Sequence, residues 1–184
     1  MKKNFQKYRP FIKFVLTFFG IYITFTILYN LFINSYNNQE YPLDPFTKTL
    51  SEQVEIVGKA IGQNIRTYQY IGEKYTRLAY DDNSVARIVE GCNAVNVMIY
   101  FVAFVFATGT NIRKTIIFSI LGLISIHIIN IFRIIVLSYL LHKFPAHTHI
   151  THGIIFPLII YGFVFVLWVL WLVKFSGFIK NKND

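Results

Sequence analysis

Four stretches of this chain are apolar for longer than the stripe of any soluble helix, and this limits the fold before any motif is considered. Phe11 to Ile33, Gly91 to Ala107, Thr115 to Leu141 and Ile154 to Val173 each approach the roughly 20 residues needed to cross the hydrocarbon of a bilayer. A backbone in lipid must satisfy its own hydrogen bonds, so such runs read as transmembrane helices. The sequence predicts an all-α integral membrane protein with spans at about 11–33, 91–107, 115–141 and 154–173, organised as a single domain over 1–184. The first block exceeds a signal-peptide core and has no small-residue cleavage site after it, so it is expected to stay as an anchor.

The formal net charge is +9, an excess that raises nucleic acid as a partner until its placement is examined. Lys2, Lys3, Lys7, Arg9 and Lys13 precede the first span, Arg113 and Lys114 separate the second from the third, and Lys174, Lys180 and Lys182 follow the fourth. That alternation is the positive-inside pattern. It predicts cytoplasmic N- and C-termini, an outer segment at 34–90 and a second outer loop at 142–153, and it argues against nucleic acid. The lipid bilayer is the first expected partner.

Within the outer segment, Leu50, Val54, Val57, Ile61 and Ile65 recur every three or four residues from Phe46 onward, which predicts an extracytoplasmic amphipathic helix. Gly72-Glu73-Lys74 and Asp81-Asp82-Asn83-Ser84 are turn signals and suggest a small hairpin. Tyr68, Tyr70, Tyr75 and Tyr80 around them fit an interfacial aromatic belt.

Polar groups inside the apolar blocks must find partners or forfeit several kcal/mol each. The second block opens on Glu90-Gly91-Cys92-Asn93-Ala94-Val95-Asn96, which contains the only cysteine; a lone thiol permits no internal disulfide. On a continuous helix Cys92, Asn93 and Asn96 would cover an arc of about 100° and line one pocket, or else make interhelical hydrogen bonds. The third block carries His127, Asn130 and Arg133 within about 120° of each other. Arg133 lies some eight residues from the outer end, about 12 Å, and an arginine at that depth costs at least ~2.5 kcal/mol.

Four of the five histidines fall between His142 and His152. His149 and His152, at i and i+3, raise zinc, but a zinc site wants three or four ligands and no further cysteine or aspartate is near, so neither metal nor cofactor is expected. His142 and His147 read as solvated.

The alternation of spans brings Cys92, Arg133 and the His149/His152 pair to the same leaflet. Such a trio suits acyl transfer: a thiolate nucleophile, a histidine acting as base and then as acid, and a guanidinium for the oxyanion. Glu90 would oppose the thiolate, and Asn93, Asn96 and Asn130 would support the substrate.

Glu-Gly-Cys-Asn-Ala at 90–94, Asn-Ile-Phe-Arg-Ile at 130–134 and His-Ile-Thr-His-Gly-Ile-Ile-Phe-Pro at 149–157 together resemble the exosortase/archaeosortase family, most of all the short exosortase F branch of Bacteroidetes. The resemblance implies a cysteine transpeptidase or endopeptidase of the bacterial inner membrane, with its site facing outward. Its substrates would be membrane-anchored proteins with C-terminal sorting signals. Cys92 would be the nucleophile, Arg133 the family's arginine and His149 or His152 the histidine; the family pattern favours His149, and the position next to Gly153 favours His152. The chain departs from the longer exosortases in having about half their spans and Asn93-Ala94 after the cysteine. A different class of reading is a non-catalytic assembly or partner-binding subunit whose polar groups bond a neighbouring helix.

Overall fold

The computed structural model describes residues 2–36, 43–145, 153 and 155–177, with side chains from Tyr8 onward. It is mostly helical. Three helices are long and apolar enough to cross a membrane: α1 (Lys2–Asn34), α4 (Ile112–Lys143), and α5 (Phe156–Leu170) with the π-helical turn Trp171–Phe175 that extends it. Helix α3 (Val95–Thr108) is equally apolar but has only 14 residues, about 21 Å at 1.5 Å per residue. The run expected to be helical from residue 91 therefore starts later. Ala94 takes a left-handed φ of +60°, which no α-helix continues through, and Glu90–Cys92 form a separate 3₁₀ turn.

Helix α2 (Pro45–Ala60) begins where local chemistry dictates: Asp44 caps it by accepting from the Thr47 N–H at 2.9 Å, and Pro45 occupies the first turn. It buries the expected stripe, including Leu50 and Val54. It stops sooner than the apolar spacing implies. Gly62, at φ +80°, donates to the Lys59 carbonyl and Gln63 donates to that of Gly58, a Schellman closure. Ile65 then starts a strand.

The expected small hairpin is a three-stranded antiparallel sheet, β1 (Ile65–Tyr68), β2 (Thr76–Tyr80) and β3 (Asn83–Ile88), in that order. Asp81 and Asp82, both at positive φ, make the tight β2–β3 turn, so Asn83 and Ser84 belong to a strand and not to the break. Tyr80 is buried in the core, whereas Tyr68 and Tyr70 are exposed.

Two cores stack along α4. Its later part, Ile131 to Leu141, packs with Leu50, Val54, Ile65, Leu78, Ile88 and Phe156. Its earlier part packs among α3 and α5 through Phe101, Val105, Ile126, Ile160 and Trp171. At 32 residues α4 is about 48 Å long, well beyond the ~30 Å of hydrocarbon. The later part of α4 is clad by α2 and the sheet, and Arg133 lies in that part.

Helix α1 lies against α3 through Tyr22 and Tyr100, stacked at 4.7 Å with hydroxyls 3.1 Å apart. The opposite end of the bundle is tied: Trp171 Nε1 donates to Thr108 Oγ1 at 2.9 Å, and Thr110 Oγ1 donates to the Ser176 carbonyl at 2.6 Å. Helices α3 and α4 approach closely because Gly122 has no side chain; the Phe101 ring occupies the place of its Cβ. Gly122→Ala must displace a fully buried ring and is expected to destabilise the fold by about 1–3 kcal/mol, read as a lower Tm in detergent.

Candidate active site

Cys92 is delivered by β3. The strand runs from the His142 end of α4, where His142 Nε2 lies 3.6 Å from Asp81 Oδ2, down to Ile88 in the core. The 3₁₀ turn then closes with the Cys92 N–H donating to the Val89 carbonyl at 2.8 Å. Asn93 locks the turn from the other side. Its Oδ1 accepts from the Val95 N–H at 2.9 Å, and its Nδ2 donates to Tyr29 Oη at 2.7 Å and to Thr47 Oγ1 at 3.2 Å. Asn93 therefore faces the α1–α2 junction, and Asn96 is exposed on α3. The shared pocket face expected of Cys92, Asn93 and Asn96 does not exist, because the left-handed Ala94 separates the cysteine from the helix.

Helix α4 supplies the thiol's neighbours. Asn130, fully buried, donates through Nδ2 to the Cys92 carbonyl at 2.8 Å, while its Oδ1 has no partner among the described residues. One turn further on, Arg133 is 7% exposed, and its Cζ stands 3.5 Å from the centroid of the Phe156 ring. Its Nε finds no hydrogen-bond acceptor among the described residues. The Cys92 thiol and the Tyr161 hydroxyl are close enough to interact electrostatically with this guanidinium. A shallow groove lies beside it, lined by Val136, Leu137, Leu140, Ile155, Phe156 and Ile159 together with Arg133; the thiol lies outside this lining.

His127 does not join the group. Its Nε2 lies 2.6 Å from Gln53 Oε1, which fastens α4 to α2. His149 and His152, like His147, fall outside the described residues. Gly153 and Ile155, directly after them, lead into Phe156 under the guanidinium. No three His, Cys, Asp or Glu side chains stand close enough to hold a metal among the described residues.

Glu90 is half-buried. Burial first, and the Asp44 carboxylate second, push its carboxyl above the ordinary value. A raised acid costs the folded state stability once pH exceeds the folded pKa, and that cost disappears below the unfolded value. Glu90→Gln is thus expected to raise Tm at neutral pH, with the gain fading as pH falls through the normal carboxylate range; a pH series of melting curves measures it.

Three supporting residues carry no sequence signal of their own. Tyr29 and Phe156 read simply as apolar span residues, and Thr47 as part of a helix start. Only Asp44-Pro45 announces its role, as a capped helix start. No family model, curated protein or solved structure matches the chain.

Proposed function

We propose that this is a membrane-embedded cysteine transpeptidase or endopeptidase of the exosortase type, acting on membrane-anchored proteins with C-terminal sorting signals at the outer face of a bacterial inner membrane. The observation that carries the reading is the buried Arg133 guanidinium, its Nε unpaired among the described residues, within electrostatic reach of the only cysteine of the chain. A buried guanidinium with one of its donors unpaired is costly. Such a cost makes sense where negative charge appears transiently.

The reading takes the short apolar helix α3 as a fourth pass beside the three long ones. From the start of α4 to Asn130 is 18 residues, about 27 Å, which nearly spans the hydrocarbon. Cys92 is tied to Asn130, so α3 with its 3₁₀ extension covers the same height. With Arg113 and Lys114 on the cytoplasmic side, the thiol stands at the outer boundary.

The Cys92 thiolate adds to the scissile carbonyl, and its sulfur–carbon bond forms as the carbonyl π pair moves to oxygen. Arg133 bears the resulting oxyanion. Collapse expels the amine, which takes a proton from His149 or His152, and leaves a thioester. Water or an acceptor amine then attacks the thioester and returns the thiol. Asn130 fixes the backbone that carries the sulfur, and Glu90 and Asn93 hold the turn. The largely aliphatic lining beside Arg133 is compatible with an apolar substrate segment.

The test is to compare the C-termini of exported membrane-anchored proteins in cells with and without this chain by mass spectrometry. Trimmed or re-linked C-termini should vanish when the chain is deleted; an unchanged set would overturn the assignment.

A further inference from the structure

The β1–β2 turn, residues 69–75, serves neither the thiol nor the core, yet its surface is unusual. Tyr70 is 58% exposed, Ile71 68% and Tyr68 37%, and the Tyr68 and Tyr70 rings meet edge to face at 5.6 Å, which makes a contiguous apolar tip. Ile71 precedes Gly72, whose φ of +81° makes the tight bend that thrusts the tip outward.

Strand register fixes the direction of this tip. Strand β3 descends α4 from His142 toward Asn130, and Ile88 at its lower end is paired with Thr76. The turn continues below Thr76, beyond Ile88, and so reaches the height of Cys92 and Asn130. That height lies about 27 Å from the start of α4, close to the ~30 Å of a hydrocarbon layer.

The charges around the tip suit the same location. The only acid in the turn, Glu73, accepts from Arg77 Nε at 3.1 Å and from Tyr75 Oη at 2.9 Å. Arg77 holds that carboxyl well below the usual range, so the two charges cancel as a pair. Arg87 is different. It stacks at 4.7 Å over the Tyr75 ring, is exposed, and forms no ion pair with any carboxylate among the described residues. An unpaired guanidinium backed by an aromatic ring, above a tip of two tyrosines and an isoleucine, has the chemistry of the headgroup layer: phosphate outside, acyl carbon inside.

We infer that the β1–β2 turn is a second membrane anchor, dipping Tyr70 and Ile71 into the phospholipid interface of the leaflet that flanks Cys92 while Arg87 binds a headgroup phosphate. The sheet then rests on the bilayer at its free end, and the outer layer is held over the thiol from two sides.

A nitroxide at Ile71→Cys, in a Cys92→Ser background and in phosphatidylcholine–phosphatidylglycerol nanodiscs, tests this against a label at Asp82→Cys on the opposite turn. The 71 label should be reached by oxygen and shielded from a water-soluble nickel chelate, at a depth of about 5–10 Å below the headgroups. The 82 label should show the reverse. Arg87→Gln should move the 71 label outward. Equal chelate access at 71 and 82 overturns the anchor, and so does dipolar broadening between 71 labels, which would assign the tip to contact with a second copy. No shift with Arg87→Gln overturns the phosphate contact. Both labelled positions are exposed turn residues, and a monodisperse profile with an unchanged Tm verifies that each variant has folded.

Discussion

Cys92→Ala is expected to abolish processing, by at least about 10³-fold, while the protein remains inserted and monodisperse. On the proposed function the loss is large because Cys92 is the only thiol of the chain, and the hydroxyls at the turn, those of Tyr29 and Thr47, are engaged by Asn93. Structurally the change is mild. Cys92 is only partly buried, its side chain joins the core as a peripheral member, and the hydrogen bonds that hold the turn use its backbone N–H and carbonyl, which alanine keeps. Reconstituted enzyme with a processed substrate measures the rate, and circular dichroism with a melting curve measures the fold. Full activity in the alanine variant would sink the enzyme reading.

Arg133→Met should separate activity from stability in opposite directions. Loss of the Arg133 cation is expected, on the proposed function, to cost about 10²–10³ in rate, the usual effect of deleting an oxyanion donor. Stability should not fall as it does for ordinary core truncations. The native guanidinium is buried with Nε unpaired, and replacement of a buried ionic group by an apolar residue of similar volume is often neutral or stabilising by about 1–4 kcal/mol. The stacking on Phe156 that methionine forfeits is worth only about 0.5–2 kcal/mol. A Tm at or above that of the wild type, with activity lost, is the expected pair of results. A strongly lowered Tm would mean that Arg133 is a structural strut.

What could be read from the residues, and what could not, divides by range. The long helices were legible because hydropathy is a property of a window, as in the run from Ile112 to Lys143. The stripe of α2 was legible for a similar reason, but its end was not: Ile61 and Ile65 keep the helical spacing even though Gly62 turns the chain between them. Asn83 and Ser84 look like loop residues, and only pairing with β2 makes them strand. Asn93 was hidden most completely, since its partners Tyr29 and Thr47 lie 64 and 46 positions away. The left-handed Ala94 gave no warning, because alanine ordinarily favours a helix. By contrast, the alternation of spans puts Cys92, Arg133 and the His149/His152 pair in one half of the bundle; Cys92 is held by Asn130, one turn from Arg133, and the histidines lie outside the described residues.

The ties at the far end of the bundle bear on how such a site is reached. Trp171 fastened to Thr108, and Ser176 to Thr110, pin α5 against the α3–α4 corner, while the groove beside Arg133 opens at the other extremity. Helices pinned at one tip can spread only at the other, like tongs. On the proposed function, a substrate segment would enter at that end and leave the ties at the other intact.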